Sequence, residues 1–158
     1  MLLFQLVIAP LLFFCCESNV FKGIVPLKTT KAEVIAILGP RVNPIFDEYD
    51  TANFKFKDGR ASIDYIVGDC RGGLGDYNVE AGLVRSIQFF PEPQPLFSSL
   101  RFDRRNFIMG SQPDGPRPPS YVSKRSGLAI YLASDRTRVQ MIDYFPSAKD
   151  EHLRCKDQ

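Results

Sequence analysis

Four cysteines, a single histidine and a few clustered carboxylates are the side chains of this 158-residue chain most suited to chemistry. Cys15 and Cys16 directly follow an apolar run, which leaves Cys70 and Cys155 as a pair. In an oxidising compartment such a pair forms a disulfide, pinning a Gly-rich loop to the C-terminal tail. Zinc wants four ligands, and two cysteines with His152 at no paired spacing do not supply them, so neither a metal nor a cofactor is expected. Nucleophilic catalysis needs a base beside an activated Ser, Cys or Thr. His152 sits among Lys149, Asp150, Glu151 and Arg154, which reads as a solvated tail. Asp47, Glu48 and Asp50 cluster near a turn. Two of these, or Asp64 and Asp69, converging at a pocket would mark a carboxylate-based hydrolase; dispersal would mark a binding surface. The segment Gly68 to Gly75 (GDCRGGLG) lacks the Gly-Lys-Ser/Thr of a phosphate loop and opens no helix, so its glycines read as turns.

The chemistry is bounded by compartment. Leu2 to Phe14 is thirteen residues of Leu, Phe, Val, Ile and Ala broken only by Gln5 and Pro10. That length suits the apolar region of an export signal and falls short of the roughly 20 residues a membrane-crossing helix needs. Only the amino group of Met1 supplies positive charge ahead of it. Residues 1–18 are therefore expected to be an export signal that packs on nothing, placing the protein in the periplasm or outside the cell. Two endings are open: cleavage after Ser18, or lipid attachment at Cys15 or Cys16, which alone would anchor the chain to a membrane. Twenty Lys and Arg interleave with eighteen Asp and Glu for a net charge of +2, leaving no basic stripe for nucleic acid.

The elements that must position these residues are short. Thr30 and Glu33 make a capping box, Val34, Ile37 and Leu38 share a helical face, and Gly39 and Pro40 end the helix. Phe54 to Lys57 and Arg60 to Val67 flank Asp58 and Gly59 as a hairpin. A third strand runs from Leu83 to Phe90. After the stiff Pro91, Pro93 and Pro95, Asp103 caps a helical turn reaching Met109, and strands follow at Tyr121 to Lys124, Leu128 to Leu132 and Thr137 to Phe145.

Val84 to Pro91 (VRSIQFFP) resembles Val139 to Pro146 (VQMIDYFP), and Leu27 to Gly39 resembles Leu100 to Gly110. The expected fold is α+β: an antiparallel sheet with short helices on one face, built as two degenerate helix-plus-meander repeats. Residues 19–91 form the first half, 92–99 a proline-rich connector, and 100–158 the second half with its tail. The fourteen residues LKTTKAEVIAILGP, Leu27 to Pro40, are similar to the opening segment of small outer-membrane lipoprotein domains of the SmpA/BamE type, to which the two-repeat β-lactamase inhibitor proteins are related in fold. The Leu153 to Cys155 ending resembles that of exported bacterial proteins. The resemblance implies a binding module rather than an enzyme.

Strand alternation then assigns faces. With Ile63, Tyr65, Ile87, Phe89, Leu128, Ile130, Val139 and Met141 turned toward the helices, Asp64, Gln88, Tyr131, Gln140 and Tyr144 point outward. Tyrosines among polar side chains suit protein recognition. The function expected is a non-enzymatic exported module that binds a protein partner through this face.

Overall fold

The computed structural model describes residues 18–42, 50–68, 70, 77–110 and 119–156. Residues 1–17 of the segment read as an export signal, with Cys15 and Cys16, and also Asp47, Glu48, Asp69 and most of the Gly-rich loop, lie outside them.

The helix forms where its caps dictate. In α1 (Lys31–Leu38) the Glu33 amide donates to Thr30 Oγ1 at 3.3 Å, and the Thr30 amide donates to the Glu33 carboxylate at 2.8 Å. Gly39, at φ +84°, stops it. Only Val34 is fully buried; Leu38 packs at the core's margin and Ile37 stands 47% exposed. Two helical turns present one narrow strip to the sheet, and Ile37 lies off its edge.

Seven strands make one antiparallel sheet: β1 (Thr51–Phe56), β2 (Gly59–Tyr65), β3 (Val84–Pro91), β4 (Ile108–Gly110), β5 (Ser120–Ser123), β6 (Leu128–Leu132) and β7 (Val139–Tyr144), in the order β1-β2-β3-β7-β6-β5-β4. The first hairpin turns on Lys57 and Asp58, with Gly59 already paired to Phe56. Gly59 is required there, since its φ is +142° and a Cβ would lie 2.2 Å from the Phe90 carbonyl oxygen.

This is a β-rich fold, not the α+β arrangement with helices along one face that the sequence suggested. The inner face is covered mainly by irregular chain. Phe21, which lies outside any helix or named strand, sits with ring centroids 5.0 Å from Phe89 and 5.4 Å from Tyr144. Ile24 is fully buried, and Phe102 and Phe107 close the far end. Phe21 and Ile24, being buried, each contribute roughly 1.5–3 kcal/mol without needing a helix to carry them. The segment read as a second helix is a single 3₁₀ turn, Arg104–Asn106, capped by Asp103, and Ile108 to Gly110 instead extend the sheet as its edge strand.

The two meanders meet at β3 and β7, where Ile87 pairs with Tyr144, Gln88 with Asp143 and Phe89 with Ile142. In the matched segments VRSIQFFP and VQMIDYFP, Ile87 corresponds to Ile142 and Phe89 to Tyr144. The pairing is therefore its own mirror, with an approximate two-fold axis between Gln88 and Asp143. Each half also carries a bulge at the same place: Arg85 is skipped between the Asp64–Ser86 and Tyr65–Val84 pairs, and Gln140 between Tyr131–Met141 and Leu132–Val139. Main-chain bonds align the remainder. The Lys31 amide donates to the Gly82 carbonyl and the Phe97 amide to the Thr137 carbonyl, so the counterpart of α1 is the 3₁₀ turn Phe97–Ser99 rather than Leu100 to Gly110.

The second bulge overturns two face assignments, those of Met141 and Tyr144. Simple alternation from Val139 puts Met141 inward and Tyr144 outward, but the extra residue Gln140 reverses the parity beyond it. Met141 shares the outer face with Tyr131, while Ile142 and Tyr144 are buried, Tyr144 against Phe21.

Candidate functional site

The outer face is built from rows of side chains that cross the strands. One row runs Asn53, Ser62, Gln88, Asp143, Ala129, Val122 and Ile108, spanning all seven strands. Asp64, Gln88 and Tyr131, assigned outward from the sequence, lie on this face and are half-buried; Gln140 is exposed at its bulge.

Asp64 is held by its neighbours. Thr51 Oγ1 donates to its Oδ1 at 2.7 Å, Ser86 Oγ donates to its Oδ2 at 3.2 Å, and Arg85 approaches to 3.9 Å. Asp143 is not held. It stands at the centre of the sheet between Gln88 and Ala129, and its buried Oδ1 finds no hydrogen-bond partner. Burial, with a smaller addition from the Asp64 charge, pushes its carboxyl up to about 6. Burial, then the nearby Asp143, also raises the Tyr131 phenol.

No family model, curated protein or solved structure matches the chain.

The face therefore has to be read from its own geometry. A groove of about 420 Å³ opens beside the first hairpin, lined in part by Lys55, Arg60, Phe90, Val42 and Glu92. A cleft of about 290 Å³ lies between Asp103, Asn106, Phe107, Arg125, Ser126 and Lys149, and a third cavity of about 320 Å³ borders the disulfide. None of these is lined by Asp64 or Asp143, and Asp50 is drawn away to Lys31 at 2.9 Å. The described carboxylates thus do not converge at a pocket.

Cys70 and Cys155 form a disulfide with Cα atoms 5.5 Å apart, closing a sequence separation of 85. The tail it anchors is ordered rather than solvated coil. Ser147 and Asp150 make a second capping box opening the 3₁₀ helix Ala148–Leu153, and Leu153 joins Leu27, Ile66 and Tyr77 in a satellite cluster. His152 is exposed on that helix, its Nδ1 2.8 Å from the Lys149 carbonyl oxygen. Among the described residues no group of three or more His, Cys, Asp or Glu is placed to hold a metal ion.

Sequence reasoning missed Asp143 and the hairpin groove. Asp143 had a signal, as the one charge inside the otherwise apolar run MIDYF. The groove had a fainter one: Lys55 and Arg60 are equidistant from the hairpin turn, and so must face each other once the turn is placed.

Proposed function

We propose that the chain is a non-enzymatic exported module, periplasmic or secreted, that binds a protein partner through the outer face of its sheet. The observation that carries this is the asymmetry of the sheet. The buried apolar side chains from outside the strands, among them Phe21, Ile24, Val34 and Phe97, gather in the inner-face core or the satellite cluster, whereas the outer face presents Gln88, Tyr131 and Gln140 with Asp64 and Asp143, beside Val122, Met141 and Ile108. An antiparallel sheet with one packed face has its other face free for recognition. The disulfide fits an oxidising compartment, and the likeness of Leu27 to Pro40 to SmpA/BamE-type envelope domains points the same way.

Quantitative capture from envelope extract tests the face. Tyr131→Ala combined with Gln88→Ala should weaken capture of the wild-type partner at least tenfold while leaving the thermal midpoint within a few degrees. Undiminished capture would move the binding surface elsewhere. Export is tested by cell fractionation and intact mass; retention of the N-terminal segment in soluble material argues against it.

A carboxylate hydrolase is the second reading, favoured by Asp143, whose raised carboxyl near Asp64 is the kind of environment that makes a general acid. It predicts a hydrolytic activity that Asp143→Asn abolishes.

A further inference from the structure

The first hairpin sets two like charges directly against each other. Lys55 and Arg60 are cross-strand partners on the outer face, where opposed side chains have Cβ atoms roughly 4.5–5.5 Å apart and like charges are unfavourable. Neither has a carboxylate partner among the described residues. Arg60 lies over the Phe90 ring at 4.5 Å from its centroid, Glu92 lines the groove but pairs with neither cation, and Asp58 in the adjoining turn is taken by Lys22 at 3.1 Å. The next pair along the hairpin, Asn53 and Ser62, adds an amide and a hydroxyl with no side-chain hydrogen bond of their own. Donors and cations are thus gathered around a groove of about 420 Å³, within the usual range of small-molecule sites, with Phe90 and Val42 as its apolar wall.

We propose that this groove binds a small organic oxyanion, a carboxylate or phosphate ester, held between Lys55 and Arg60 with its apolar part against Phe90 and Val42. The ligand supplies the carboxylate or phosphate partner that Lys55 and Arg60 do not have among the described residues. Arg60 offers a planar fork and Lys55 a point charge, a combination suited to an oxyanion approached from two sides. This site adjoins the protein-binding reading only where Ser62 pairs with Gln88; Lys55, Arg60 and Phe90 are at the hairpin end, away from Tyr131 and Gln140.

Amide NMR titration of the oxidised chain tests it, with phenyl phosphate, benzoate, inorganic phosphate and benzylamine as probes. Phenyl phosphate and benzoate should shift the Lys55 and Arg60 amides saturably, with dissociation constants below about 1 mM, and benzylamine should not. The double change Lys55→Gln and Arg60→Gln, at two exposed positions, should weaken both anions at least tenfold with the remaining spectrum unchanged. Phe90→Leu should weaken phenyl phosphate and leave inorganic phosphate unaffected. The proposal is overturned if no anion binds by roughly 20 mM, if benzylamine binds equally, or if the double variant retains wild-type affinity. An unchanged preference for phenyl phosphate in Phe90→Leu would remove the apolar wall from the assignment.

Discussion

On the inner face, Ile63 and Ile87 of the first half occupy the places that Ile130 and Ile142 hold in the second, paired in the same way. On the outer face the corresponding places hold Asp64 against Tyr131, and Ser62 beside Gln88 against Ala129 beside Asp143. Cover differs too. The first half has α1 with its buried Val34, and the small Ala52 on β1; the second has one 3₁₀ turn, and Phe97 stacks at 4.5 Å on Tyr121, the counterpart of Ala52. Inner positions are constrained because a core must fill to high density, yet which element supplies the volume is free. Outer positions answer to this constraint only at buried places such as Ala129 and Ser120, so side-chain chemistry differs between the halves on that face.

The largest test of how far the halves depend on each other is the Cys70–Cys155 bridge, which ties the loop after β2 to the tail after β7. For a sequence separation of 85, the chain-entropy model gives about 4.6 kcal/mol. Replacing both cysteines by serine should lower stability by up to that amount in urea unfolding, with amide exchange rising first at Asn78 and Arg154, whose main chains bond into this junction.

Next in size is the contrast between two tyrosines. Tyr144→Ala empties a site 4% exposed that Phe21 packs against, and should cost about 3 kcal/mol. Tyr131→Ala, on the outer face, should cost less than about 1 kcal/mol. Equal losses in denaturant melts would mean that the outer face is as tightly packed as the core.

These two residues also show what was legible in the sequence. Alternation placed Asp64, Gln88 and Tyr131 correctly, because period-two patterning is local and survives as long as the ladder is regular. It failed at Tyr144 because a bulge is a relation between strands, and nothing in VQMIDYF marks Gln140 as the residue without a partner. The cap at Thr30 and Glu33 and the cysteine pairing were legible, one being local chemistry and the other a choice among few groups. The cover was not: Phe21 and Phe97 are isolated aromatics without periodicity, and only the three-dimensional arrangement shows them replacing a helix. For the same reason the hairpin groove escaped notice, since Lys55 and Arg60 meet only after the turn is set on Lys57 and Asp58.

Asp143 sharpens the comparison at the seam. Its carboxyl titrates at about 6 in the folded chain against 3.8 for the ordinary group, so between those values the folded state binds more protons than the unfolded one. Stability from this group is complete below pH 3.8 and is lost as pH rises through 6. Asp143→Asn should therefore stabilise the protein by about 3 kcal/mol at pH 8 and change little at pH 3.5. Changing the paired residue Gln88 to Glu sets a second carboxylate directly across from Asp143, so this variant should lose stability relative to the wild type as pH rises and both groups ionise; urea melts of both variants across that range decide the matter.

The smallest effect belongs to the bulge residues. Arg85 and Gln140 each stand without a cross-strand partner at the second position of the matched segments, with their side chains exposed. If the bulge is there to set parity, the count of residues matters and the side chain does not. Gln140→Ala should then shift stability by no more than about 0.5 kcal/mol, as for an ordinary surface substitution. Deleting Gln140 is the informative control, because it moves Val139 onto the opposite face or forces Ile142 and Tyr144 out of the core. A clean urea melt for the alanine variant beside an unfolded deletion would establish the bulge as the device that aligns the two halves. A destabilised alanine variant would instead give the Gln140 side chain a structural contact, and the equivalence with Arg85 would rest on backbone geometry alone.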